Sequence, residues 1–194
     1  MNLENIKNKH YLLNPIAKHS TQADFPSIVT QVQLQKNVDN AQVLLTLSYQ
    51  ILAKSTVKLV EFDQSLVKPT DFLWENDCLE CFIQLDERRY FEINASPSGA
   101  FALYEFDDYR TPNQLPPRAT DKLTFIWQNP NCENYKKYNN CNSHFEFSVI
   151  LPTNFLPTKI NPTVILYQHH QPIFYAVNHA SPPDFHNKNF WQNF

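Results

Sequence analysis

Cys78-Leu79-Glu80-Cys81-Phe82-Ile83-Gln84 and Tyr90-Phe91-Glu92-Ile93-Asn94-Ala95 decide the fold, because each alternates with a period of two. Successive side chains of a strand point to opposite faces. In the first segment Leu79, Cys81, Ile83 and Leu85 take one face, and Cys78, Glu80, Phe82 and Gln84 take the other. The second segment splits into Phe91, Ile93 and Ala95 against Tyr90, Glu92 and Asn94. Opposed residues of an antiparallel pair share a face. The apolar sets therefore match when Leu85 faces Phe91, Ile83 faces Ile93 and Cys81 faces Ala95. That register makes Asp86-Glu87-Arg88-Arg89-Tyr90 the hairpin loop and sets Glu80 near Asn94 and Ser96. A slip of one residue would bury Glu92 and expose Ile93, so the faces are well specified. The face with acids and amides is either the solvated side of an ordinary sandwich or a surface arranged to hold a ligand.

Outward from this hairpin the alternation recurs. Ile28, Thr30, Val32 and Leu34 oppose Gln31, Gln33 and Gln35, and then Val43, Leu45, Leu47, Tyr49 and Ile51 oppose Gln42, Thr46, Ser48 and Gln50. A turn at 37–40 joins the two. The pattern predicts a short strand around 56–62 and further strands over 100–106, 123–128, 144–151, 163–169 and 173–177. Residues 1–25 show no periodicity. The segment 111–121 contains Pro112, Pro116 and Pro117 and reads as a loop. Residues 129–142 form a polar excursion, 151–157 a single helical turn, and 178–194 a turn-rich aromatic tail.

Fifteen Phe and nine Tyr, with β-branched residues in short runs, favour sheet over helix. The single Gly among 14 Pro leaves Asn clusters such as Asn139-Asn140-Cys141-Asn142 to fill turn positions. Gly99 supplies a backbone angle that a side chain would forbid. The expectation is all-β: an antiparallel two-sheet sandwich, jelly-roll-like, with residues 1–194 as one domain.

The net charge is −3 and the basic residues are scattered, which argues against a nucleic-acid partner. The polar start, Met1 to Lys7, has no apolar signal core. No apolar run approaches the ~20 residues of a membrane helix. These features predict a cytoplasmic protein without a membrane partner. Cys78-Leu79-Glu80-Cys81 has the C-x-x-C spacing of zinc and redox sites, yet on a strand the two thiols point apart. Cys132 and Cys141 either close a loop disulfide or remain free thiols. The seven His show no H-E-x-x-H pattern, and His169-His170 would point to opposite faces of a strand. Asp107-Asp108 falls short of the ~6–8 oxygen ligands of calcium. No metal or cofactor is expected.

Three constellations carry candidate chemistry. Trp74 precedes the strand bearing Glu80, close to Glu92 and Asn94; an aromatic platform edged by carboxylates and amides suits the C–H face and hydroxyl rim of a sugar. Trp74 is otherwise a plug at the sandwich end. Tyr104, Asp107, Asp108, Tyr109 and Arg110 form the second group, in which Arg110 either pairs with a carboxylate or reaches ligand hydroxyls. His179-Ala180-Ser181-Pro182-Pro183-Asp184-Phe185-His186 is the third, where Asp184 can orient His186 either for acid–base work or as an ordinary loop hydrogen bond.

The segments 73–82, 90–99 and 104–110, with His179 and Pro183-Asp184-Phe185-His186, resemble the DOMON-like superfamily, close to family 9 carbohydrate-binding modules and small stand-alone bacterial DOMON-like proteins. The resemblance implies a jelly-roll-like sandwich that binds sugar or, in some relatives, haem. Trp74 and Glu80 look like the aromatic and acid of the modules' site, and Arg110 is a match to their arginine. Trp191 does not clearly match the second aromatic of their clamp. Haem-binding relatives use Met and His, and the sole Met here is Met1.

The leading expectation is thus a non-catalytic domain holding a small carbohydrate or sugar-derived ligand, with Trp74, Glu80, Glu92, Asn94, Tyr104, Arg110, Asp184 and His186 at the site. The alternatives are an enzyme using Glu80, Glu92, Asp184 and His186 as acid–base groups, or a protein-interaction scaffold. An interaction scaffold would present a flat apolar patch instead of a polar cleft.

Overall fold

The computed structural model describes residues 3–16, 25–52, 59–129, 142–153 and 155–194. Its strands are β1 (Leu3–Ile16), β2 (Ser27–Asn37), β3 (Val43–Leu52), β4 (Cys78–Gln84), β5 (Tyr90–Ala95), β6 (Phe101–Phe106), β7 (Thr124–Asn129), β8 (Asn142–Leu151), β9 (Lys159–Gln168), β10 (Gln171–Ala176) and β11 (Gln192–Asn193). They pair antiparallel in the order β6-β5-β4-β9-β10-β1-β2-β3-β8-β7, with β11 added to β9. The all-β, sandwich-like expectation holds. The two halves are joined through β1, whose residues 3–13 pair with β2 and 14–16 with β10.

The apolar faces do what the alternation predicts. Leu45, Leu47, Phe147 and Val149 meet Leu79, Cys81, Ile83, Phe91 and Ile93 in one fully buried cluster. Each such side chain contributes about 1.5–3 kcal/mol by leaving water. The two ends of the strand order come together, because Phe101 of β6 stacks on Phe125 of β7 at 4.5 Å between centroids. Trp127 Nε1 adds a hydrogen bond of 2.7 Å to the Gly99 carbonyl. The sheet is therefore nearly closed into a barrel. Gly99 has φ 116° in the turn between β5 and β6, and a Cβ there would meet the Asp63 carbonyl oxygen at 3.0 Å.

The second face of β4 and β5 is not solvated. Cys78, Phe82, Tyr90, Tyr104, Phe106, Phe185 and Trp191 form a second buried cluster on it. The cover comes from the loop after β6 and from the C-terminal tail. Residues 118–120 run along β6, with hydrogen bonds Glu105 N to Arg118 O and Thr120 N to Leu103 O, both 3.0 Å. This also shields an otherwise open strand edge.

Several expectations need correction. Ile83 opposes Phe91 and Cys81 opposes Ile93, so the hairpin register lies two residues from the expected one. A shift of two keeps every side chain on its face. The cause is the loop: the Asp86 carboxylate accepts from the N–H groups of Arg88 and Arg89 at 2.9 and 2.8 Å, and Leu85 N donates to Arg89 O. That closes the loop at Arg89 and releases Tyr90 to β5.

The aperiodic N-terminus contains β1, which is mostly exposed, so no apolar face marks it. Of the expected strand at 56–62, residues 59–62 are not strand and the rest lies outside the described residues. His169 and His170 form a two-residue turn, with φ 49° and 63°, between paired Gln168 and Gln171. Two positive φ values fit the primed hairpin turns whose twist matches the strands. Cys132 and Cys141 lie outside the described residues.

Leu13 is 1% exposed and Leu12 is 56% exposed on the same strand. Leu13→Ala is expected to cost about 2–5 kcal/mol in urea unfolding, whereas Leu12→Ala stays within about 0.5 kcal/mol. Equal costs would contradict the β1 register.

Candidate functional site

A cavity of about 250 Å³ opens on the outer face of the β4–β5–β9–β10 region, beneath the loops that cover it. Strand residues make its floor: Glu80 and Phe82 of β4, Glu92 of β5, Ile165 of β9 and Phe174 of β10. Trp74, Arg110, the loop stretch Pro112 to Leu115, Phe185 and His186 make its walls.

Trp74 sits in a short 3₁₀ turn, Leu73–Glu75, entered through Phe72 at φ 60°. Its ring meets Phe72 and Tyr104 edge-on at 5.4 and 6.0 Å. The ring is half-buried: neither a sealed plug nor a free platform, but a wall fixed from behind.

Glu80 and Glu92 are 2% and 4% exposed. Alternation aims both at the outer face, and Glu80 lies directly opposite Asn94, two residues from Glu92. Thr163 Oγ1 donates to Glu80 Oε2 at 3.2 Å. Asn94 Nδ2 donates to Glu92 Oε1 at 2.8 Å. Burial pushes the pKa of Glu80 up, and the neighbouring Glu92 charge pushes it further. Burial also raises Glu92, opposed by the Asn94 hydrogen bond and by Arg110. Two carboxyls this close and this dry favour retaining a proton between them.

Arg110 adopts φ 48°, a left-handed conformation that costs a non-glycine residue about 1–3 kcal/mol. The turn from Asp107 to Thr111 imposes it, through hydrogen bonds of 2.8 and 3.0 Å. In return the Arg110 N–H donates to the Tyr90 hydroxyl at 3.1 Å. The same hydroxyl shares a 2.7 Å hydrogen bond with His186 Nδ1, in which we assign the hydroxyl as donor and the neutral ring nitrogen as acceptor. The remaining ring proton of His186 is then on Nε2, which lies 3.8 Å from Glu92 Oε2. Burial, helped by Arg110, lowers the His186 pKa to about 3, so the imidazole is neutral.

Of the eight candidate residues, Trp74, Glu80, Glu92, Arg110 and His186 line this cavity. Asn94, Tyr104 and Asp184 do not; each stands behind a lining residue. Asn94 is fully buried against Glu92, and the Tyr104 hydroxyl donates to Asp71 at 2.8 Å. Asp184 accepts from Arg110 Nη2 at 3.0 Å and from the Tyr109 hydroxyl at 2.8 Å. It also takes the His186 backbone N–H at 3.2 Å. Asp184 thus holds the loop, while Tyr90 orients the imidazole. Asp107 pairs with Arg118 and Asp108 with Arg88. Trp191 is buried beneath the site, its Nε1 donating to the Phe185 carbonyl at 2.8 Å. Among the described residues, no three His, Cys, Asp or Glu side chains converge as a metal site.

Sequence reasoning missed Tyr90, which it placed at the loop end, and the wall residues Asn113, Gln114 and Leu115. Tyr90 shares the alternation of Glu92 and Asn94, which was the available signal. The wall residues carry no periodicity to read.

No protein-family model matches the chain, and no curated protein does. Among solved structures, the chain is similar to a putative carbohydrate-binding protein from Bacteroides uniformis ATCC 8492. The TM-score is 0.56 at 13% identity, over 94% of this chain and 84% of that one. The likeness is one of fold.

The buried titratable groups predict the pH dependence of stability. Folding favours the uncharged form of Glu80 and Glu92, so their contribution is complete below the unfolded value of ~4.3 and is lost as pH rises through their raised native range. His186 acts oppositely: its contribution is complete above ~6.5 and is lost as pH falls towards its depressed value. Above about pH 6.5 the carboxyls therefore dominate among these three groups. Calorimetry from about pH 6.5 to 9 should show Tm falling by about 4 °C or more, and Glu80→Gln should flatten that fall. An unchanged slope in the variant would contradict the burial of this charge.

Proposed function

We propose that this cavity binds one ring of a neutral carbohydrate or sugar-derived ligand. The observation that carries the reading is convergence: Trp74, Phe82 and Phe174 give apolar surface to the same space into which Glu80, Glu92, Arg110 and His186 turn polar atoms. A sugar has that division, with C–H groups on its ring faces and hydroxyls at its edge. The volume of about 250 Å³ lies just under the ~300–1,000 Å³ of drug-sized sites, which suits a single ring better than a chain. A strongly anionic ligand would meet two buried acids. A cationic one would meet Arg110, whose partner Asp184 is already engaged.

The fold similarity to a protein described as carbohydrate-binding supports this reading, as does the resemblance of Trp74 and Glu80 to the aromatic and acid of family 9 modules. In our reading the chain is a DOMON-like relative of those modules. Arg110 and His186 then act as hydroxyl partners, held in place by Asp184 and Tyr90. Six of the lining residues, Glu80, Phe82, Glu92, Phe106, Ile165 and Phe174, come from paired strands, so the floor is rigid before any ligand arrives.

Isothermal titration with a panel of aldoses and their methyl glycosides tests the proposal. Wild-type protein should give a saturable heat with at least one, and Trp74→Ala should weaken that binding about 10-fold or more. Flat traces across the panel would overturn the reading. Unchanged affinity in Trp74→Ala would place the sugar elsewhere.

A further inference from the structure

We infer that this cavity also interconverts the α and β anomers of a bound aldose, with Glu92 as general base and Glu80 as general acid; the inference rests on the sugar-binding reading above. The geometry motivates it. The two carboxyls sit on adjacent strands as diagonal neighbours, since Glu80 opposes Asn94 and Phe82 opposes Glu92. Diagonal pairs lie within ~7–8 Å at their Cα atoms, and both side chains reach the same cavity.

Among the described residues, neither acid has a cation bound to it. The Arg110 guanidinium is engaged by Asp184 at 3.0 Å, and His186 Nε2 stands 3.8 Å from Glu92. Simple hydroxyl recognition would be served by amides at far lower desolvation cost. Two dry carboxyls side by side instead settle as one acid and one carboxylate. Their surroundings assign the roles. Glu92 has the Asn94 amide donor, the neutral His186 N–H directed towards it and the positive field of Arg110. Glu80 has the longer, weaker hydroxyl donor of Thr163 at 3.2 Å. The charge therefore rests on Glu92 and the proton on Glu80.

That pair completes anomer exchange with no co-reactant. The Glu92 carboxylate takes the proton of the anomeric hydroxyl, and the electrons left on that oxygen form the C1 carbonyl. The bond between C1 and the ring oxygen breaks with its electron pair going to that oxygen, which takes the Glu80 proton. Rotation about C1–C2 presents the other face of the carbonyl. The hydroxyl attacks C1 again and returns its proton to Glu80, while Glu92 returns the other proton to the anomeric oxygen. Both carboxyls are restored and nothing is oxidised or reduced. A cavity of about 250 Å³ matches one ring, as this reaction requires, rather than the two rings joined in a glycoside.

The test uses the full chain with freshly dissolved α-D-glucose and α-D-galactose, in dilute buffer, followed by polarimetry. The same sugars are titrated calorimetrically in parallel. Wild-type protein should speed the approach to anomeric equilibrium about 10-fold or more, with a bell-shaped pH profile. Glu92→Gln and Glu80→Gln should each lose about 100-fold of the enzymatic rate while still binding sugar. Thermal unfolding of both variants confirms that they fold, and the wild-type pH profile gives a readout independent of either. Binding without acceleration would overturn this inference and leave the binding proposal standing. Neither binding nor acceleration would overturn both. Acceleration that survives in both Gln variants would remove the carboxyls from the reaction.

Discussion

Burial of both faces of β4 and β5 is the constraint from which the remaining architecture follows. One face belongs to the core between the sheets, where Leu79, Cys81, Ile83, Phe91 and Ile93 need an apolar partner layer. The other face carries Phe82 and Tyr90 together with Glu80 and Glu92, so it cannot be left wet and cannot be sealed cheaply. The chain resolves this conflict by laying two loops over the outer face while leaving a cavity above the acids. Antiparallel sheets usually expose one side. Here the extra cover turns an ordinary strand pair into the floor of a site.

One hydroxyl links both parts of the cover to the sheet. Tyr90 receives the Arg110 N–H and donates to His186, so one residue of β5 joins the loop after β6 to the C-terminal segment. Asp184 makes a second tie between the same two loops through Arg110 and Tyr109. Each hydrogen bond contributes only about 1 kcal/mol, but together they hold the two loops against each other with the His186 ring between them. Packing of Tyr90 on Phe106, nearly parallel at 4.6 Å, keeps the hydroxyl aimed.

How far the sequence could be read depended on whether a residue's role left a period behind. The strand faces of the central hairpin were legible because core burial imposes an apolar residue at every second position. Their register was not, since a shift of two residues satisfies the same rule, and a side-chain contact of Asp86 in the loop made the choice. β1 was invisible because its side chains face water and its pairing is carried by backbone groups that every residue possesses. The acids, Trp74, Arg110 and His186 were legible as polar or aromatic departures within patterned segments. Asn94 and Tyr104 share that patterning but point behind the cavity, a distinction of a few ångströms that alternation cannot encode. The wall from Pro112 to Leu115 depends on the path of an irregular loop, which no local pattern records.

The junction formed by β1 has a further implication. Its side chains toward solvent are largely free to vary, because little rests on them, yet the strand must deliver Leu13 to the core and residues 14–16 to β10 in phase. Loss or gain of a single residue would reverse which side chains look inward from there onward. The irregularity between Asn5 and Lys7 shows that one such step can be absorbed near the distal end, about eight residues upstream of the partner change, where nothing faces the interior. In this stretch the fold measures distance along the chain and is nearly indifferent to spelling.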